Sequence, residues 1–362
     1  MPHGNAGTHR ARASPNIAEC GRAAGFLWLG GRSDTGSQTR TAPLSHLNTQ
    51  WYGDAILARP RRLGATGAPT RPRIAMHDLL LFSHANGFPA PVYRVMLTAL
   101  AERFHVVRPE RIGHDPRYPV TPDWPHLVDE LVARAETAAG NARRIWLVGH
   151  SLGGYLSLLA AHRLADSALA GRVAGVVMLD SPLIAGWRAR LVSIGRRTGL
   201  DNLLMPMRAT LQRRRLWPDR TAVREHFLAK PAFACWDERV LDDYVEHGTR
   251  AAADGSRELA FEREIEYRIY HTLPTTALSG LAPSVRVPVG FLAGTRSREL
   301  RNAGSAPTQR LVGERWRWIE GGHLFPMERP LDTAQAIAAM IEGMKPTVAD
   351  EEPATWAAAV NG

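Results

Sequence analysis

The sequence predicts an α/β fold in which helices flank a mostly parallel sheet. From residue 76 onward, strand-like and helix-like segments alternate, which is the pattern of a parallel sheet with helices on both faces. The 362 residues are enough for one large α/β domain that carries an insertion. The apolar content of 44% is typical of a globular protein, and no apolar stretch approaches the roughly 18 residues that a membrane span requires. We therefore expect an α/β domain without a membrane span.

Six segments have the character of strands and three have that of helices. The predicted strands cover residues 79–83, 104–108, 145–148, 173–179, 287–293 and 316–319. The predicted helices lie around residues 127–135, 155–162 and 334–344.

A long insertion separates the predicted strand that ends near residue 180 from the one that starts near residue 287. A segment of about a hundred residues cannot be a structureless loop in a compact domain, and its apolar residues are distributed among charges. We expect an α/β core from 76–185 and 276–345, and a helical lid from 186–275 above the carboxyl ends of the strands. A frayed tail from 346–362 would complete the chain.

The net charge of +10 comes mainly from the first 75 residues, which hold ten arginines and three acidic residues. This basic leader is rich in small and polar residues, and it lacks sustained hydrophobic periodicity, so we expect it to be disordered. We favour an ordered protein that begins near Met76, with an over-extended translation start upstream; a transit peptide is the alternative. Because the rest of the chain is only weakly basic, we expect no nucleic-acid partner.

Two cysteines, Cys20 and Cys235, are too few for a disulfide framework and favour a reducing compartment, so we expect a cytoplasmic protein. Neither cysteine has the spacing of a metal ligand. We expect no metal site and no cofactor.

The motif GHSLG at residues 149–153 carries the strongest chemical signal. It follows a predicted strand and precedes a predicted helix, and Gly-x-Ser-x-Gly in that context is typical of a sharp turn that exposes a nucleophilic serine. Small residues two positions before and after Ser151 let the backbone double back. The turn also places Ser151 beside the free amides of a helix N-terminus. Ser151 is therefore the candidate nucleophile.

His323 is the candidate base for Ser151. A serine hydroxyl needs a base to take its proton and a third group to orient that base. His323 lies shortly after the last predicted strand in a glycine-rich loop, and no other histidine follows His271. The order serine, acid, histidine along the chain then leaves the acid between Ser151 and His323.

Three motifs together resemble the lid-bearing α/β-hydrolase superfamily: HANGFP at 84–89, GHSLGG at 149–154 and GGHLFPMERP at 321–330. The similarity extends over roughly residues 78–344. It implies that the backbone amides of Asn86 and Leu152 form the oxyanion hole, while His84 shapes the loop after the first strand. A role for His84 as the base is the weaker alternative, since it precedes the serine.

The acid is where the sequence departs from that family. Most members carry an Asp about three residues after the glycine that ends the penultimate strand, and here that place is taken by Ser297. Some members, including certain haloalkane dehalogenases, carry the acid at the end of the strand that follows the nucleophile helix, where this chain has Asp180. Asp180 is the first candidate for the acid and Glu299 is the alternative.

The resemblance implies a serine hydrolase that acts on a small-molecule carboxylic ester or related acyl compound. An acyltransferase, a thioesterase or a carbon–carbon bond hydrolase with the same triad is the alternative within the enzymes. A non-catalytic ligand-binding protein with this fold is the alternative outside them. The arginines at 213–215 are predicted to be a solvated helix face, with binding of an anionic substrate as the alternative.

Overall fold

A computed structural model describes residues 78–198, 207–281 and 284–345. Its nine strands are, in chain order, β1 (Leu79–Ser83), β2 (His105–Val107), β3 (Ile145–His150), β4 (Val173–Leu179), β5 (Leu216–Trp217), β6 (Thr249–Ala251), β7 (Arg257–Leu259), β8 (Val289–Gly294) and β9 (Trp316–Ile319). Six of them form one parallel sheet in the order β2-β1-β3-β4-β8-β9. This confirms the predicted α/β fold, and each strand of the sheet overlaps one of the six predicted segments.

Helices connect the strands of the sheet and cover both of its faces. They are α1 (Arg94–Ala101), α2 (Pro125–Ala138), α3 (Leu152–Leu164), α4 (Gly186–Thr198), α5 (Arg220–Leu228), α6 (Pro231–Ala234), α7 (Glu238–His247), α8 (Arg263–His271), α9 (Thr275–Leu281), α10 (Arg298–Ala303), α11 (Ala306–Val312), α12 (Phe325–Glu328) and α13 (Pro330–Met344). Short 3-10 turns lie at Ala90–Tyr93, Ala170–Arg172 and Met207–Gln212. The helices predicted around 127–135, 155–162 and 334–344 correspond to α2, α3 and α13.

The sheet divides the core into two hydrophobic clusters. In β1, β3 and β8 every residue is buried, because both faces of these strands are covered by helices. One cluster joins α1 and α13 to aromatic residues of the insertion, and the other joins α2 and α3 to the opposite face of the sheet. The insertion therefore shares a core with the sheet.

The sequence led us to expect a helical insertion between β4 and β8. The insertion is not purely helical. Besides its helices it contains a small antiparallel sheet in the order β5-β7-β6. Each of these strands has only two or three residues, which is too short to show the alternation by which strands are predicted.

The prediction that residues 213–215 form a solvated helix face is also wrong for Arg213. Its side chain is buried and forms an ion pair with the fully buried Glu266 of α8. A buried guanidinium is retained in a fold only when a carboxylate and hydrogen bonds compensate its lost hydration. Arg213 also donates a hydrogen bond of 3.0 Å to the Tyr244 hydroxyl.

Several expectations concern parts of the chain outside the described residues. These are the basic leader 1–75, the start near Met76 and the tail 346–362. Within the described residues, no helix is long and apolar enough to cross a membrane.

Candidate active site

Ser151 occupies a strained turn between β3 and α3. Its φ of 54° and ψ of −114° are rare for a residue other than glycine. A Cβ at Gly149 would lie 2.1 Å from the carbonyl carbon of Gly153, and a Cβ at Gly153 would lie 1.9 Å from the carbonyl oxygen of Ser83. The two glycines are therefore required by close backbone approach. The turn is held by a hydrogen bond of 2.9 Å from the Ser151 amide to the Leu179 carbonyl.

Asp180 follows β4 directly and is fully buried. Its φ of 45° turns the chain sharply away from the strand. One carboxylate oxygen, Oδ1, accepts a hydrogen bond of 3.0 Å from the Gly294 amide, and the other, Oδ2, accepts one from the Ser297 hydroxyl. These two donors, both from the end of β8 and the turn after it, fix the orientation of the carboxylate.

His323 meets this carboxylate from the loop after β9. Its Nδ1 lies 2.7 Å from Asp180 Oδ2, so that Nδ1 donates the hydrogen bond and Nε2 is left to accept a proton. Glu299, in the first turn of α10, is further away, with its Oε2 3.9 Å from the same Nδ1. The geometry brings both candidate acids to His323, and only Asp180 lies within hydrogen-bond distance of it.

The loop after β1 holds His84, Asn86 and Gly87. His84 is buried, donates from Nδ1 to the Ala85 carbonyl at 2.8 Å, and accepts at Nε2 from the Ile112 amide at 2.8 Å. Both ring nitrogens are engaged, and burial is the main cause that lowers the pKa of His84 to about 3. This arrangement suits a residue that shapes the loop, and it is unfavourable for a base.

The two amides that the resemblance assigns to the oxyanion hole lie at the start of α3 and in the loop after β1. Leu152 is the first residue of α3, so its N–H is one of the amides that a helix leaves without an internal partner. Asn86 is buried, and its side-chain amide donates a hydrogen bond of 3.0 Å to the Glu266 carbonyl of the insertion.

Comparisons with known proteins agree with this architecture. A family model described as the alpha/beta hydrolase family matches residues 80–336, which is more than half of the chain. This chain belongs to the α/β hydrolase family. The resemblance of the three motifs to the α/β-hydrolase superfamily is thereby confirmed.

Solved structures with the same fold cover most of this α/β hydrolase. An E-2-(acetamidomethylene)succinate hydrolase is 21% identical with a TM-score of 0.57, and the match covers 74% of this chain and 92% of that one. The peroxisomal α/β-hydrolase Lpx1 of Saccharomyces cerevisiae is 15% identical with a TM-score of 0.58, covering 77% and 81%. An esterase of M. tuberculosis is 16% identical with a TM-score of 0.52, covering 74% and 86%. No curated protein sequence matches the chain.

Ser297 contacts the candidate acid of this α/β hydrolase, a role that was not predicted from the sequence. It stands at the place where most of the family carries the acid, and its hydroxyl instead donates to Asp180. The same oxygen accepts from the Leu300 amide at 3.0 Å and so caps α10. The sequence contained a signal for this role, because a small polar residue at the usual position of the acid can form a hydrogen bond with an acid that is placed elsewhere.

The electrostatics of the candidate site centre on His323. Burial lowers the pKa of this imidazole, but the nearby carboxylates of Glu299 and Asp180 raise it by more, to about 9. The fully buried His150 is affected in the opposite direction: burial and the neighbouring His323 hold its pKa well below the ordinary value. The field at the site thus favours a positive charge on His323 and excludes one on His150.

Asp180, Glu299 and His323 are also the one group in the described ranges whose ligand atoms could hold a metal ion, since these atoms lie within 4.8 Å of one another. Two carboxylates and an imidazole are ligands that divalent transition metals accept. In the structure, however, Asp180 Oδ2 already accepts hydrogen bonds from His323 and Ser297. The donors that surround this oxygen match an acid that orients a histidine.

Proposed function

We propose that this chain is a serine hydrolase that cleaves a carboxylic ester or a related acyl compound through Ser151, His323 and Asp180. The observation that carries the proposal is the 2.7 Å hydrogen bond between His323 Nδ1 and the buried Asp180. Asp180 follows β4, which pairs with β3, the strand that directly precedes Ser151. A buried carboxylate in this position holds the tautomer that leaves Nε2 free to accept the serine proton.

The first half of the reaction forms an acyl-enzyme. Nε2 of His323 takes the proton of the Ser151 hydroxyl as its oxygen attacks the acyl carbon, and Asp180 stabilises the imidazolium that results. The negative charge that develops on the carbonyl oxygen is received by the amides of Leu152 and Asn86. His323 then gives its proton to the leaving alcohol, and the carbon–oxygen bond to that alcohol breaks.

The second half of the reaction releases the acid. Water loses a proton to His323 and attacks the acyl carbon, and the proton returns to Ser151 as the ester bond to the enzyme breaks. The carboxylic acid that leaves contains the oxygen of this water. An acyl acceptor other than water would make the same machinery an acyltransferase.

We assign residues 186–275 to a lid that bounds the acyl pocket. The support for this role is the contact between the insertion and the oxyanion loop. Asn86 donates to the Glu266 carbonyl, and a Cβ at Gly87 would lie only 2.9 Å from Glu266 Oε1. A shift of α8 would therefore alter the loop that carries an oxyanion amide.

Labelling with a fluorophosphonate tests the proposed nucleophile. The folded protein should take up one equivalent of the probe, and mass spectrometry should place it on Ser151. Ser151→Ala should abolish the labelling, while Ser157→Ala, which changes a buried serine of α3, should leave it intact. Folded wild-type protein that takes up no probe, or takes it up at another residue, would contradict the proposal.

The pH dependence tests the charge on His323. The reaction needs the neutral imidazole, and the two carboxylates raise the pKa of His323 to about 9, so kcat/KM should rise with pH and level off only above that value. Glu299→Gln removes one of the carboxylates and should move the midpoint towards acid pH. The exposed Glu314→Gln is the control and should leave the midpoint in place. An acid limb near pH 6.5 in the wild-type protein would contradict the expectation.

A further inference from the structure

We propose that Tyr93 and His150 are positioning residues, which hold the base and the oxyanion loop in register through one buried chain of hydrogen bonds. This inference rests on the proposed function, because it concerns the same site. Neither side chain belongs to the triad, and neither was singled out from the sequence.

The chain begins at the backbone of the candidate base. The Nε2 atom of His150 lies 2.9 Å from the carbonyl oxygen of His323. A carbonyl oxygen can only accept, so Nε2 of His150 carries the proton. The ring of the residue before the nucleophile thereby fixes the main chain of the residue that supplies the base.

The second bond follows from the first. With the proton on Nε2, Nδ1 of the neutral His150 is an acceptor, and the Tyr93 hydroxyl donates to it at 2.8 Å. The Tyr93 oxygen in turn accepts from the Ala85 amide at 3.1 Å. Ala85 directly precedes Asn86, whose own amide is assigned to the oxyanion hole. The chain therefore ends one residue from that amide.

Burial fixes which atom donates and which accepts in each hydrogen bond of this series. Tyr93 is 1% exposed and His150 is 0% exposed, so water does not compete for these hydrogen bonds. Burial also keeps His150 neutral, with its pKa held well below the ordinary value. The rings of His150 and His323 are 5.1 Å apart, and the neutral state of His150 persists when His323 becomes an imidazolium during turnover. Every proton in the chain then has one location.

The geometry links three parts of the site that come from distant places in the sequence. His150 is the last residue of β3, His323 follows β9, and Ala85 follows β1. A misplacement of about 1 Å between reacting groups can reduce the rate by about a hundredfold. Because His150 is adjacent to Ser151, its hydrogen bonds keep the base and the oxyanion amide aligned with the Ser151 hydroxyl.

Tyr93→Phe tests the series of hydrogen bonds, because it removes the hydroxyl and keeps the aromatic ring. The variant leaves both the Ala85 amide and His150 Nδ1 without a partner, and it should lower the maximal rate of inactivation by a fluorophosphonate by about 10- to 100-fold. The inhibitor concentration at half-maximal rate should change less than threefold, because the pocket is unaltered. Tyr244→Phe also loses one buried hydroxyl hydrogen bond, from Arg213, and should change the inactivation rate less than threefold.

Two substitutions at His150 separate positioning from a merely structural role. His150→Gln can place its amide nitrogen near the position of Nε2 and still donate to the His323 carbonyl. His150→Asn is shorter and cannot. We expect the glutamine variant to react about tenfold faster than the asparagine variant at matched thermal stability. Equal rates for the two variants, or a Tyr93→Phe rate within twofold of wild type, would overturn the inference.

Labelling of the wild-type protein distinguishes a failure of the proposed function from a failure of the positioning role of Tyr93 and His150. If wild-type Ser151 does not react, the proposed function fails and the positioning chain fails with it. If wild-type Ser151 reacts and the Tyr93 and His150 variants react equally fast, only the positioning chain fails.

Discussion

Asp180→Asn should lower kcat by about ten-thousandfold with little change in KM. Asparagine keeps the shape of the buried side chain and can still accept from the Gly294 amide. Its amide group can, however, face His323 Nδ1 and favour the tautomer whose Nε2 is protonated and unable to act as a base. The measurement is turnover of an activated acyl ester, with the acyl chain length varied to find a substrate.

Glu299→Gln is the matched comparison for that substitution. Glu299 lies 3.9 Å from Nδ1 and is not within hydrogen-bond distance, so its amide variant should lose less than tenfold in kcat at the pH optimum. A larger loss for Glu299→Gln than for Asp180→Asn would make Glu299 the acid. Urea unfolding of both variants shows whether either loss comes from instability.

Arg213→Met should destabilise the folded protein by about 3–5 kcal/mol. The substitution removes the positive charge that compensates Glu266, which is 0% exposed. One Glu266 oxygen, Oε1, has no hydrogen-bond partner among the described residues, so the carboxylate depends on Arg213. The free energy of unfolding from urea titration gives the effect, and the exposed Arg215→Met should change it by less than about 0.5 kcal/mol.

The effect of Arg213→Met should depend on pH in a defined direction. Burial raises the pKa of Glu266, and without Arg213 this carboxyl is protonated in the folded protein at a pH where the unfolded chain has already released the proton. The unfolded state is then favoured more strongly as the pH rises above the ordinary Glu value of about 4.5. The destabilisation should therefore shrink as the pH falls towards that value. A loss that is independent of pH would indicate that the lost packing of the arginine stem is responsible.

The central strands β1, β3, β4 and β8 could be predicted because they consist mostly of buried apolar residues. Strand β4 was predicted with the bounds that the structure has, since Val173–Leu179 is a continuous run that helices cover on both faces. The short strands of the insertion were missed because two or three residues carry no periodicity. Arg213 was missed for a different reason: its burial depends on Glu266, which lies 53 residues further along the chain.

The candidate site was predictable where a local motif carries it. Ser151 and His323 lie in short glycine-containing segments whose backbone requirements are visible in the sequence. The choice between Asp180 and Glu299 depends on their distances from His323, which no local pattern encodes. Ser297, Tyr93 and His150 act through partners that are far away in sequence, so only the folded chain brings their contacts together.

The origin of the three proposed triad residues has a consequence for how activity appears during folding. Ser151 and Asp180 follow β3 and β4, which pair directly at the centre of the sheet, and the amide of Ser151 is bonded to the residue before Asp180. His323 comes from the loop after β9, a partly exposed strand at the end of the strand order. Recovery of turnover after refolding would thus time the arrival of the last strand, whereas the central strands could form earlier without any activity. Enzyme assays would then report when the edge strand β9 joins the sheet.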